Sequence, residues 1–284
     1  TILHNAKSPL MSNESSSGKG GSMFVAIVFP LVLVISVCVY MFILGDPDNF
    51  AGYDPKATYT SEQLDEIIAK NHPVETQPGK LYGTIYKGGF IVPILISVNL
   101  IILVFSVERF ITLSQAKGKG SIDAFIQKVR HMIGNDQVDE AMGECDAQRG
   151  SVANVLRSGL EKYKLVLHDA NHDKETRLAS VKQELDEATA LELPMLSKNL
   201  VILSTCASIS TLLGLIGTVL GMIKSFSALA VAGTPDASQL STGISEALIN
   251  TALGIAGSCV AIIMFNFFST KIDAITHGID EAGF

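Results

Sequence analysis

Four stretches of this sequence are each apolar over the length needed to cross a bilayer, and they limit the possible folds more than any other feature. A span takes about 20 mostly apolar residues, because a helix rises about 1.5 Å per residue and the hydrocarbon layer is about 30 Å thick. The first stretch runs from Met23 to Leu44 without a charge, and the second from Gly89 to Val107, stopped by Glu108 and Arg109. The third, Asn199 to Ile223, is uncharged but rich in Ser and Thr, and the fourth, Ala237 to Thr270, holds a single charged residue, Glu246. The fold class expected is therefore an all-α membrane protein: four transmembrane helices, with long helices extending into the cytoplasm. Composition agrees. Of 284 residues, 48% are hydrophobic and 17% charged, against about 25% charged in soluble domains, and mean hydropathy is +0.36.

A formal charge of −7 gives no basic footprint for nucleic acid. Cys38, Cys206 and Cys259 lie in apolar runs and Cys145 stands alone, so neither a disulfide framework nor a metal set emerges. The first stretch is long for a signal peptide, and Gly45, Asp46 and Pro47 make a poor cleavage site, so it reads as a retained helix. Met11 is a candidate native start, with Thr1 to Leu10 foreign to the natural chain.

Lys and Arg counts in the flanks set the orientation. Lys7 and Lys19, then Arg109, Lys117 and Lys119, and finally Lys271 mark cytoplasmic sides, whereas the loop from Thr234 to Gln239 has neither Lys nor Arg. Both termini fall inside. The expected layout is a cytoplasmic segment 1–22, a span 23–44, an outer segment 45–88 and a span 89–111. A cytoplasmic helical domain 112–196, a span 197–231, an outer loop 232–240, a span 241–270 and a cytoplasmic end 271–284 follow.

Between the spans, Thr60 with Gln63 forms a capping box, and Leu64, Ile67 and Ile68 give one apolar stripe before Pro73 ends the helix. Tyr82, Tyr86 and Phe90, four apart, read as an aromatic anchor at the outer interface. In the inner segment, Ile122, Phe125, Ile126, Val129 and Ile133 recur at helical spacing, closed by Gly134 and Asn135. Further helices are expected over about Gln137 to Gln148, around Val152, Val155, Leu156 and Leu160, and through Leu178, Val181, Leu185 and Ala188. No turn cluster separates Glu187 from Leu200, so the last of these is expected to run on into the third span.

Glu246 is the most informative residue. A carboxylate within a span costs about 2.5 to 3.5 kcal/mol on insertion scales and by default faces a bundle interior or water. Asn250 lies one turn on and Thr251 five residues on, clustering polar groups on one side. On the third span, Thr211, Gly214, Thr218, Gly221 and Ser225 follow a three-and-four spacing, Gly217 and Gly221 form a small-xxx-small pair, and the fourth span carries Gly254 and Gly257. Small-residue seams are ordinarily helix packing, whereas an intramembrane carboxylate points to an ion pathway; the hydroxyls of Thr218 and Thr251 fit either a lining or a bond to their own helix. Lys224 is expected to snorkel to the outer interface. His168 and His172 with Asp169 and Asp173 read as a solvated face, and Gly118-Lys119-Gly120-Ser121 lacks the spacing of a phosphate loop. No nucleophile, base and orienting group share a local context, so an enzyme is not expected.

The run Leu213-Gly-Leu-Ile-Gly-Thr-Val-Leu-Gly221, followed by Met222-Ile-Lys-Ser-Phe226 and by Gly243-Ile-Ser-Glu-Ala-Leu-Ile-Asn-Thr-Ala-Leu-Gly254, resembles the MotA/TolQ/ExbB proton-channel family, most of all its ExbB branch. The likeness is specific over about Leu196 to Ile272 and extends by span order back to about Gly89, which leaves the first 88 residues outside it. The resemblance implies that Thr218, Glu246 and Thr251 line an ion path, and that Glu108 and Arg109 match the charged pair closing the family's first span. Asn250 stands where an Ala is usual and Lys224 where His is frequent. The implied assembly is a homopentamer in the bacterial inner membrane around a dimer of single-span ExbD-like helices. It would use H⁺ as coupling ion, take no cofactor and energise a TonB-like protein for outer-membrane import. A TolQ-like motor for envelope maintenance and a non-conducting scaffold are the alternatives.

Overall fold

The computed structural model describes residues 11–50, 53, 57–70, 82–167, 173–231 and 237–283, with side chains of 11–22, 69–70, 228, 230, 231, 237 and 238 left aside. Every regular element among them is helical. Four helical stretches are long and apolar enough to cross a membrane: Met23–Leu44, Ile91–Ala116, Lys174–Ser227 and Gln239–Gly283. Helix α1 is Met11–Cys38, continued by a π-helical turn Val39–Leu44. A 3₁₀ turn Pro47–Asn49 follows, then α2 (Ser61–Lys70), α3 (Tyr82–Tyr86), α4 (Ile91–Ala116), α5 (Ile122–Gly134), α6 (Val138–Gln148), α7 (Ser151–Leu167), α8 (Lys174–Ser197), α9 (Leu200–Val231) and α10 (Ala237–Gly283). Pro73, His168, His172, Asp169 and most of the 232–240 loop lie outside the described residues.

The chain divides into two compact units, one of residues 1–103 and 206–259, the other of 104–205 and 260–284. In the first unit, α9 and α10 pack antiparallel along their glycines. A Cβ on Gly254 would stand 2.9 Å from Gly214 Cα and 2.7 Å from the Ser210 carbonyl, and one on Gly221 would stand 2.7 Å from the Gly243 carbonyl. Backbone therefore meets backbone, the close approach that small residues permit. Ser210 Oγ donates to the Gly254 carbonyl at 3.0 Å and Ser225 Oγ to the Leu240 carbonyl at 3.2 Å. The opposite faces, with Leu212, Leu215, Val219, Leu248 and Ile255, remain exposed. Thr60 N–H donates to Gln63 Oε1 at 2.9 Å and Gln63 N–H to Thr60 Oγ1 at 3.4 Å, the expected capping box.

The second unit holds α5, α6, α7 and α8 with the ends of α4 and α10. Phe125, Ile126 and Val129 of α5, Val152, Val155 and Leu156 of α7, and Ile275 and Ile279 of α10 form its core. The Gly118 to Gly120 stretch is a connection: Gly118 takes φ +75°, and a Cβ there would strike the carbonyls of Gln148 and Arg149. Contrary to the expected run-on, α8 stops at Ser197, and Asn199 takes φ +62° before α9 begins. Asn is among the few side chains that tolerate this left-handed region, so it serves as a breaker without glycine. Arg109, 2% exposed, forks onto Glu108 (Nε to Oε2 2.7 Å, Nη2 to Oε1 2.6 Å) and donates from Nη1 to the Leu196 carbonyl at 3.3 Å. That bond satisfies one carbonyl orphaned where α8 ends. Helix α10 continues past residue 270 to Gly283 and buries Ile272, Ile275 and Ile279.

Cys145 is buried in this unit, and desolvation, then the neighbouring Asp146 carboxylate, push its thiol from 9.0 up to about 11. Two pH units correspond to a thiolate fraction about a hundredfold lower at pH 8. With Cys38, Cys206 and Cys259 replaced by Ala, Cys145 is expected to react with a soluble disulfide reagent at least that much more slowly when folded than after SDS unfolding. The rate should climb with pH toward 11. Equal folded and unfolded rates would contradict the burial.

Candidate ion site

Helix α10 carries Glu246 and Asn250 on the face that meets α9 and the turn before α4, within the first unit. The turn is built by backbone bonds: Gly88 N–H to the Ile85 carbonyl at 3.0 Å, Gly89 N–H to the Tyr86 carbonyl at 3.2 Å and Val92 N–H to the Gly89 carbonyl at 3.2 Å. Gly89 takes φ +80°, which already selects glycine. It also lacks a side chain where one cannot fit, because a Cβ there would fall upon Glu246 Oε1. The carboxylate occupies the notch that this glycine leaves.

On its other oxygen, Glu246 is paired with Lys224, Nζ to Oε2 2.8 Å. Glu246 is 8% exposed, whereas the Lys224 side chain is 62% exposed. The carboxylate is thus enclosed by glycine backbone on one side and met by an exposed ammonium on the other. Lys224, the residue expected to snorkel, places its ammonium on Glu246, and a neighbouring cation offsets part of the cost of burying the charge. Nearby, burial and then the Lys224 ammonium hold the Lys87 amine below its ordinary pKa, and Lys87 lies 5.8 Å over the Phe50 ring.

Asn250 is 1% exposed and its Nδ2 donates to the Gly88 carbonyl at 2.9 Å. It fits the space opposite Gly217, where a Cβ would crowd it. Its Oδ1 has no partner among the described residues. The amide thereby joins α10 to the turn before α4. Thr218 Oγ1 donates to the Leu215 carbonyl at 2.6 Å and Thr251 Oγ1 to the Ala247 carbonyl at 3.2 Å, both within their own helices. Each keeps a lone pair and partial exposure. Gly214, Gly217, Gly221 and Gly254 form the α9–α10 contact, and Gly257 faces Asn99 of α4 and Ser210 of α9. Thr211 leaves this seam: it is exposed and donates to its own Ala207 carbonyl at 3.3 Å.

Sequence reasoning missed Gly88, Gly89 and the pairing role of Lys224. The signals were present. A glycine doublet directly before an apolar run marks a turn, and an antiparallel hairpin that sets Gly214 against Gly254 also brings residue 224 near 246.

These features define a class: a multi-span α-helical membrane protein with one carboxylate enclosed between its helices. Residues 147–281, just under half of the chain, match the profile of the MotA/TolQ/ExbB proton channel family. The family resemblance read from the sequence is thereby borne out for that segment. The chain is 27% identical over 157 residues to the Tol-Pal system protein TolQ of Pseudomonas aeruginosa, a match covering 55% of this chain and 68% of the relative. It is 29% identical over 164 residues to the biopolymer transport protein ExbB of Pseudomonas putida, covering 50% of each. With ExbB of Helicobacter pylori it shares 40% identity over 91 residues, covering 32% of this chain and 62% of the relative. The matches span between half and about two thirds of the length of these relatives. Helices α1 to α4 and the Gly88–Gly89 turn fall outside the profile match.

Proposed function

We propose that this chain is the multi-span subunit of a bacterial inner-membrane motor of the ExbB or TolQ kind, driven by H⁺ moving past Glu246. The observation that carries the reading is the enclosed Glu246 carboxylate, the one charge in the stretch Ala237–Thr270, paired with the exposed ammonium of Lys224 on α9. Such groups mark ion or proton routes in membranes. Glu246 is nearly buried, and its partner is a lysine and not an arginine. Lys224, free on its outer side, is able to release it when a partner or a proton arrives. One elementary charge falling through 100 mV yields about 2.3 kcal/mol, comparable to an ion pair's worth of rearrangement.

Glu246, Thr218 and Thr251 form the ion path in this reading, with Asn250 supporting it through the outer turn. Both termini are cytoplasmic. The exposed apolar faces of α9 and α10 receive lipid and neighbouring subunits of a homopentamer, which surrounds an ExbD-like single-span dimer and acts on a TonB-like protein. The ExbB and TolQ relatives support import and envelope maintenance about equally.

Glu246→Gln keeps the shape and removes the charge. It is expected to lower partner-dependent proton uptake by at least tenfold while helicity and assembly remain those of the native chain. Retained uptake together with retained cellular activity would leave the scaffold reading. Loss of iron-siderophore import in the variant identifies the ExbB role, and detergent sensitivity with cell chaining identifies the TolQ role.

A further inference from the structure

The site around Glu246 has a contributor from outside the family-matched segment, the N-terminal span. Its closing π-helical turn, Val39–Leu44, sets the Tyr40 ring against Tyr86 with centroids 4.6 Å apart and planes 17° from parallel. The Tyr40 hydroxyl donates to the Tyr86 carbonyl at 3.2 Å. That same carbonyl accepts the Gly89 N–H at 3.2 Å. Gly45, just past the π-helical turn, packs so closely on the Tyr86 ring that a Cβ would lie 2.8 Å from it. Phe50, 2% exposed, meets Tyr86 edge-on at 5.8 Å.

A continuous set of contacts therefore runs from Tyr40 to the Tyr86 carbonyl, to Gly89, and to Glu246 in the notch of Gly89, with Asn250 holding the adjacent Gly88 carbonyl from α10. Stacked aromatic rings resist sliding, and a carbonyl with two donors is fixed in direction. A carboxylate seated against that backbone inherits its position from it.

We propose that Tyr40 is a positioning residue for Glu246: it fixes the Tyr86–Gly89 turn, and the turn fixes the carboxylate where Lys224 meets it. The extra span is thereby part of the ion site and not a separate anchor. The consequence for conduction rests on the function proposed above, whereas the positioning does not.

The test is infrared difference titration of the full chain in lipid, following the carboxyl band that disappears in Glu246→Gln. Tyr40→Ala, which removes ring and hydroxyl, is expected to displace the band's midpoint by about one pH unit or more, tenfold in proton affinity. Tyr40→Phe keeps the stack and should displace it by less, and Phe42→Ala should leave it unchanged, because Phe42 is on the same turn but 75% exposed. If Tyr40→Ala fails to fold, a displaced midpoint in Tyr40→Phe supports the proposal and an unchanged one overturns it. Identical behaviour of wild type and both Tyr40 variants, including a shared absence of any midpoint, overturns it too. Proton uptake measured alongside separates the two ideas. Displaced midpoints with uptake surviving in Glu246→Gln sink the motor reading alone, and unchanged midpoints with uptake lost sink the positioning alone.

Discussion

Gly254→Val is expected to destabilise the α9–α10 pair by about 3 kcal/mol or more, read as an earlier midpoint on SDS titration in mixed micelles followed by circular dichroism. The atoms that a Cβ would meet are Gly214 Cα at 2.9 Å and the Ser210 carbonyl at 2.7 Å, both backbone and unable to swing aside. The helices must separate to admit the side chain, and overpacking of this kind costs about 1 to 3 kcal/mol before further losses. Separation also strains the bond from Ser210 Oγ to the Gly254 carbonyl, about 1 kcal/mol more. Gly143→Ala is the matched control. Gly143 lies within α6 with nothing near its absent Cβ, so alanine there should be neutral or stabilising by up to about 1 kcal/mol. Equal effects of the two substitutions would mean that α9 and α10 do not meet backbone to backbone.

Arg109→Met is expected to cost about 3 kcal/mol, the lower end of the range for breaking a buried ion pair. The lower end applies because Glu108, left without its partner, has a side chain 24% exposed and keeps the Thr112 hydroxyl at 3.2 Å. Methionine replaces much of the volume, so the loss reports the fork and the bond to the Leu196 carbonyl. Lysine should rescue only part of it, since one ammonium cannot reproduce a bidentate fork and a third bond together. The loss should appear locally as well. Amide exchange should accelerate at the end of α8 and the start of α9, where Arg109 holds the carbonyl before the break. Unchanged exchange there would show that the α8 terminus holds without Arg109.

Much of the helical plan was legible because periodicity and caps are local. The α5 stripe, its stop at Gly134 and the Thr60–Gln63 box all stand as read. The four spans follow from apolar length alone. The break between α8 and α9 was not legible, because a left-handed asparagine leaves no composition signature and the Leu196 carbonyl freed there is met by Arg109, 87 residues earlier in sequence. For the site, Glu246 stood out by its cost, and the glycines by their spacing. Their partners did not, because Gly88, Gly89 and Tyr40 reach Glu246 only through tertiary contacts between distant helices. Asn250 shows the limit clearly: nothing in an amide beside a membrane carboxylate announces that its donor goes to a turn 162 residues away.

The glycine seam has a mechanical meaning. Two helices in main-chain contact at Gly214, Gly221 and Gly254 have no layer of compliant side chains between them along that line. They form a stiff strut, and load borne by one is shared at once by the other. A displacement of α9 along that line therefore carries α10 with it.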